Sequence, residues 1–265
     1  MSEDGGRSAK WDLAPGLLSL ADDFIHTVRS CRGVHELRRH IEAVTREMGF
    51  KYYALVHYDD LRVPRPDRVD IKDYPQVVVD RFLDRGRYRR DPIVRGCLVA
   101  GSAFRWSEIG DLIRLDRHDR LTLEFGAREA LNEGITVPYI RLGDCAGSCT
   151  FAGMRHPGRA SRLLGPAQMI GVFAFQAALR MLGSRTALIS PPRLHPRPRD
   201  CVVLAGQGLS NKQIARVLAL TPRTVDGYLT EARALFDAHG RTELVTAAVL
   251  AGEISVHELR RCQTE

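Results

Sequence analysis

Apolar residues recur at helical spacing in two early segments, residues 16 to 32 ("GLLSLADDFIHTVRSCR") and 34 to 48 ("VHELRRHIEAVTREM"). The pattern then changes. "YYALVHY" (52 to 58) has the aromatic and β-branched content of a strand. Residues 75 to 88 return to helical spacing behind Pro75, which suits a first helical position. Residues 117 to 132 read as a charged amphipathic helix. "GITVPYI" (134 to 140) and "GSCTFAGM" (147 to 154) read as strands, and residues 161 to 183 as a strongly apolar helix. Helices mixed with a sheet whose strands are antiparallel predict an α+β domain over residues 11 to 184.

A break follows. "ISPPRLHPRPR" (189 to 199) holds four prolines in eleven residues and reads as a stiff linker, taken as 185 to 196. Beyond it no strand pattern occurs. Residues 200 to 258 read as four short helical segments separated at Gly208, at Ala219-Leu220 and near Gly240. The predicted fold class is therefore α+β: an N-terminal α/β/α sandwich with an antiparallel sheet, then an all-α four-helix domain over 197 to 258.

Local chemistry sharpens that second part. Ser210 followed by Gln213 is a capping box, each side chain answering a free backbone N–H of the first turn. Ile214, Val217 and Leu218 then mark one face. Thr221 suits an N-cap and Pro222 the first helical position. The stretch "LTPRTVDGYL" also contains Asp226-Gly227, a pair common in hairpin turns. Val225, Leu229, Ala232 and Leu235/Phe236 keep helical register through it. One glycine costs a helix interior only about 1 kcal/mol, so the helix prevails. Two helices joined by a tight turn form a helix-turn-helix, whose second helix enters the major groove of DNA.

Charge fits without deciding. The chain carries a formal +7 at pI ≈ 9.3, which permits a polyanionic partner. Between Arg193 and Val249 there are eight arginines and lysines against five acids. That modest excess predicts weak binding by a monomer, and dimerisation would double the phosphate contacts. The polar N-terminus lacks the apolar core of a signal peptide, and no apolar run reaches membrane-spanning length. The expectation is a cytoplasmic protein with no membrane partner. Of the six cysteines only Cys145 and Cys149 are close together, with no histidine at zinc spacing, so no metal site is expected and the thiols read as reduced core residues. No serine sits in a nucleophile elbow and no glycine-rich loop precedes a helix. His57, Asp59 and Asp60 lack a closing ligand set. An enzyme is not expected.

The segment from Leu194 to Ile254, above all "GLSNKQIA", "TPRTVDGYL" and "GRTELV", resembles the LuxR-type DNA-binding domain. In the first domain "YPQVVVDRFLDRGRYRRDPIV" (74 to 94), "FRWSEI" (104 to 109) and "EGITVPYI" (133 to 140) resemble the autoinducer-binding domain of LuxR-type quorum-sensing regulators. The resemblance implies an acyl-homoserine lactone or related signal buried between sheet and helices, no further cofactor, and a homodimer on a palindromic double-stranded DNA site. It implies that Asp91 accepts from the ligand amide and that Tyr74 donates to the acyl carbonyl. Trp106 would wall the pocket, Thr150 offer a hydroxyl, and Gly134 let the backbone pass closely. For DNA it implies Lys212, Thr221, Arg223, Thr224, Asp226 and Tyr228, with Arg216 able to hold a phosphate. The last helix, 242 to 251, would help dimerise.

The sequence departs from the family at several points. Val78 stands where the family has a tryptophan that grips the lactone carbonyl, and Phe82 where it has a tyrosine. A lost donor to a buried carbonyl costs about 1–3 kcal/mol. An unusual ligand, an ordinary lactone held differently, and no ligand are the readings left open. His195-Pro196-Arg197-Pro198 replaces a capping box at the first helix of the DNA-binding domain. Asp226 brings an acid toward a negative groove, either to accept from a cytosine amino group or to weaken binding. Helix 161 to 183 could share its apolar surface with a dimer partner or use it all in the core. The predicted function is a ligand-responsive transcription regulator. The alternative is a constitutive DNA-binding regulator whose first domain only dimerises, and a ligand-sized cavity around Asp91 would discriminate between them.

Overall fold

The structure is a computed structural model in which residues 15–58, 68–141, 145–182 and 192–260 are described. Asp59, Asp60, Cys262 and most of the proline-rich linker lie outside them. The chain divides into two compact units: one comprises the chain up to Ile140 with Cys145–Arg185, the other begins at Thr186.

The first unit opens with α1 (Pro15–Ser30) and α2 (Val34–Glu47). Their buried residues, Ala21, Phe24 and Val28 on α1 and Leu37, Ile41 and Val44 on α2, repeat every three or four positions, so each helix buries one stripe. Strands β1 (Tyr52–His57) and β2 (Asp70–Asp73) follow, then α3 (Gln76–Leu83), a 3-10 segment Asp84–Arg90, and α4 (Pro92–Cys97). After β3 (Phe104–Arg105) come the short 3-10 turn Trp106–Glu108, α5 (Ile109–Leu112) and α6 (Arg117–Arg128). The unit closes with β4 (Gly134–Arg141), β5 (Cys145–Ala152) and α7 (Ala160–Met181).

The five strands form one sheet in the order β2-β1-β5-β4-β3. β1 lies between β2 and β5, antiparallel to both, with Ala54 opposite Thr150 and Val56 opposite Ser148. Side chains alternate across the sheet. Tyr53, Leu55, Ile135, Val137, Cys149 and Phe151 face α1, α2 and α7 and form the main core. Ala54, Val56, Ser148 and Thr150 face the other way, toward the segments from α3 to α6. This is the α/β/α sandwich. α7 puts eleven residues into the core, so most of its apolar surface is packed within the unit.

The helix predicted over 75–88 ends at Leu83. Gly86 takes φ +72°, a left-handed conformation that no helix continues through, and the chain tightens into 3-10 turns. β2 and β3 escaped the pattern because they are four and two residues long.

The second unit is all-α: α8 (Pro196–Gly206), α9 (Asn211–Leu218), α10 (Pro222–Leu235), α11 (Arg241–Leu250) and a one-turn α12 (Val256–Leu259) beyond the four expected helices. Val202, Ile214, Val225, Leu229, Ala232 and Leu244 form its core. α9 begins with the predicted Ser210–Gln213 capping box and ends at Ala219 in the left-handed conformation (φ 54°), so the next helix can start at once. α8 starts at Pro196 without a side-chain cap from His195, and Pro198 is buried at its third position.

Candidate ligand cavity and DNA-binding helices

In the first unit a cavity of about 160 Å³ opens between the sheet and the α3–α6 side. That is roughly ten times the space one water needs. Tyr74, Val78, Phe82, Asp91, Trp106 and Thr150, the residues singled out in sequence, all line it.

Asp91 owes its position to α4. It is the N-cap, and its Oδ1 accepts from the N–H groups of Ile93 (2.9 Å) and Val94 (3.2 Å), while Pro92 fills the first helical position. Both bonds fall on one oxygen, which leaves the other to the cavity. Burial raises the Asp91 pKa to about 6, and the two backbone bonds only partly offset it. Tyr74 precedes α3, with its ring edge-on to Tyr52 (6.1 Å between centroids). Burial, then the Asp91 charge, raises its pKa, so its hydroxyl keeps its proton and can donate. Trp106 stands against Gly134. A Cβ at Gly134 would come within 2.7 Å of the indole and 2.9 Å of the Phe151 carbonyl oxygen, so only glycine lets this ring and backbone approach. The indole N–H donates to Thr136 Oγ1 at 2.9 Å.

Val78 and Phe82 lie one turn apart on α3 and present only carbon to the cavity. The far wall comes from α6, where Phe125 carries the Arg81 guanidinium over its ring at 4.1 Å. α6 is tied to α4 by Arg95, whose Nη1 reaches both carboxylate oxygens of the buried Asp119 at 2.9 Å. Sequence reasoning missed Tyr58, Cys97 and Ser148. Tyr58 donates to Ser148 Oγ, and its hydroxyl lies 3.3 Å from Cys97 Sγ. Ser148 could have been found, because it precedes Thr150 by two residues on one strand and must share its face.

The cysteines Cys31, Cys97, Cys149 and Cys201 are free and buried. Cys31, Glu36 and His40 come within 4.8 Å of one another away from the cavity. Burial and Glu36 raise the Cys31 thiol, and Arg180 and Arg39 act on it in the opposite direction. The grouping is that of a protonated thiol beside a carboxylate, with positive charge already present.

In the second unit Thr221 caps α10, its Oγ1 accepting from the Thr224 N–H at 3.1 Å. α10 runs unbroken through Asp226-Gly227. Lys212, Arg216, Thr221, Arg223 and Asp226 are exposed, while Thr224 and Tyr228 are half-buried. A Cβ at Gly227 would meet nothing within 4 Å, so packing in this unit does not demand the glycine. Asp226 is not simply an open acid. Its Oδ1 accepts from Asn211 Nδ2 at 3.3 Å, and Asn211 Oδ1 in turn accepts from Arg241 at 3.2 Å. The carboxylate thus ties the recognition helix to the start of α9.

A cavity in one unit and a capped helix-turn-helix in the other are what a transcription regulator with a small-molecule domain requires. Comparison with known families agrees. Residues 33–178 match the autoinducer binding domain, and residues 193–248 match the bacterial regulatory proteins of the luxR family. The chain belongs to the LuxR family of autoinducer-binding transcription regulators, which are not enzymes. It is 26% identical over 213 residues to the quorum sensing-dependent transcriptional regulator RpaR of Rhodopseudomonas palustris, covering 80% of this chain and 86% of that protein. Its fold is shared with Escherichia coli SdiA at a TM-score of 0.57 and 16% identity, over 90% of this chain and 99% of that one. It is likewise shared with SdiA in complex with octanoyl-rac-glycerol at a TM-score of 0.56 and 16% identity, over 95% and 97%. Among the described residues no helix is long and apolar enough to cross a membrane.

Proposed function

We propose that the protein binds a small acylated signal in the cavity of its first unit and, as a homodimer, a palindromic DNA site through α10. Residues 11–184 would serve as ligand domain, 185–196 as linker and 197–258 as DNA-binding domain. Its partner being DNA, it acts in the cytoplasm. The observation that carries this reading is the convergence of Tyr74, Asp91, Trp106 and Thr150 on one cavity. The open oxygen of Asp91 takes the ligand amide N–H in a charge-assisted bond. The Tyr74 and Thr150 hydroxyls serve the acyl carbonyl, and Trp106 covers the head group. An open cavity in place of a filled core favours a ligand-responsive regulator over a constitutive one.

Val78 and Phe82 set the ligand apart. Neither offers a donor, so a ring carbonyl loses the bond that a tryptophan at position 78 would give it, at a cost of about 1–3 kcal/mol where no other group replaces it. We read the ligand as an acyl-homoserine lactone or a relative whose binding does not depend on that carbonyl. SdiA, which shares the fold, is described in complex with octanoyl-rac-glycerol, and that supports a ligand without a lactone ring. On DNA, Arg223 and Thr224 in the first turn of α10 reach bases, Thr221 and Tyr228 support them, and Lys212 holds a phosphate. Asp226 trades its Asn211 partner for a base amino group.

The ligand adds apolar surface to the core and stabilises the fold and its dimer by mass action. Mass spectrometry of the small molecule that copurifies with the protein tests the reading. An acylated molecule released on denaturation is expected. Folded, DNA-binding protein that carries no such molecule and is not stabilised by acylated amides would sink it.

A further inference from the structure

The charged side chains that line the cavity are mostly basic. Lys72, Arg81, Arg87, Arg90 and His118 stand against two acids, Asp70 and Asp91. Arg87, Arg90 and His118 are also exposed, so the basic set stands where the cavity meets water. Two of these cations are already answered. Lys72 bonds to Asp70, and Arg87 Nε lies 3.3 Å from Asp84. Arg81 and Arg90 are not: among the described residues neither makes a hydrogen bond or an ion pair. The Arg81 guanidinium lies over the Phe125 ring at 4.1 Å, a contact that steadies the group and spends none of its N–H donors.

Both arginines sit beside the head of the proposed ligand. Arg90 immediately precedes Asp91, whose open oxygen takes the amide N–H. Arg81 is next to Phe82 and three residues from Val78, the two positions on α3 that offer no donor to a ring carbonyl. The neutral grip on a lactone is thus missing where unpaired positive charge borders the site. In a lactone the carbon attached next to the amide-bearing carbon is a neutral ester carbonyl. In an N-acyl amino acid the same carbon is a carboxylate, the group that a guanidinium matches with paired N–H···O bonds.

We propose that the cavity takes an N-acyl amino acid with a free carboxylate, held by Arg81 and Arg90, in place of a lactone. The inference rests on the reading of the cavity as an acyl-amide site and names the head group of its ligand. Asp91 still takes the amide N–H. The two guanidiniums supply the positive charge that lets a second carboxylate approach the first.

Calorimetry on the full-length protein tests this with three probes: N-octanoyl-L-alanine, its neutral primary amide, and N-octanoyl-homoserine lactone. The acid is expected to bind about tenfold tighter than its amide at low salt. The gap should narrow as salt screens the exposed arginine. Arg81→Gln and Arg90→Gln should each remove part of the gap and together all of it, with affinity for the amide unchanged. Arg120→Gln, which removes an exposed cation of α6 outside the cavity, should leave the gap intact. Three results overturn this inference alone: an acid that binds unaltered protein no tighter than its amide, an acid that binds more weakly than the lactone, or a preference for the acid that survives the double substitution. Binding by none of the three probes overturns the acyl-amide reading and this inference with it.

Discussion

The two units are built on opposite terms. Every buried polar or charged residue among the described residues lies in the first unit: Thr45, His57, Asp119, Glu133, Thr136, Ser148 and Thr150. The core of the second is apolar, and its polar groups stand at helix starts or on the surface. A protein that encloses a small molecule must bury the groups that recognise it, and those groups lack water as a partner. A protein that reads DNA keeps its recognising groups outside on a core complete without them. The first unit should therefore depend on its ligand for stability, and the second should fold alone.

The strongest way to break this contrast is to damage the second core. Ile214 is fully buried between α9 and its neighbours, and Ile214→Ala should cost about 2–5 kcal/mol. Calorimetry should show the second unit melting early and DNA binding lost, with ligand binding by the first unit intact. Loss of both functions together would show that the units fold as one.

A smaller effect comes from Asp91. Its folded pKa is raised to about 6 by burial, so the unliganded first unit is favoured at acid pH and loses that contribution as pH rises through about 6. A ligand N–H needs the carboxylate, so affinity should run the other way and fall about tenfold from pH 7 to pH 5. Melting curves across pH, with and without ligand, should show the two trends crossing in the first unit only. Asp91→Asn, which keeps a capping side chain, should flatten both.

The smallest effect belongs to Asp226. Asp226→Lys breaks an exposed hydrogen bond, so stability should change by no more than about 0.5 kcal/mol. Non-specific DNA affinity should rise, its salt slope should steepen by about one, and the preferred site should change. A binding assay at fixed salt that finds both affinity and site unaltered would show that the acid points away from DNA.

The same division governs what could be read from sequence. Ser210, Gln213, Thr221 and Pro222 act on backbone within three residues of themselves, so they announce α9 and α10 directly. The Asn211–Asp226–Arg241 tie did not announce itself, because its partners are fifteen and thirty residues apart. In the first unit the long elements were legible from periodicity. The break at Gly86 was not, because a left-handed glycine looks no different from one inside a helix. The cavity residues matched to the family emerged through their joint spacing. Tyr58, Cys97 and Ser148 did not, because they meet only when β1, α4 and β5 come together.

Asp91 carries one last consequence. One of its oxygens holds the start of α4, and in the proposed complex the other holds the ligand. From α4, Arg95 reaches across to Asp119 on α6, the opposite wall. The carboxylate is thus a joint as well as a contact. Whatever a bound molecule does to its charge is felt at a helix end, and by reciprocity whatever tightens that helix end tightens the hold on the molecule.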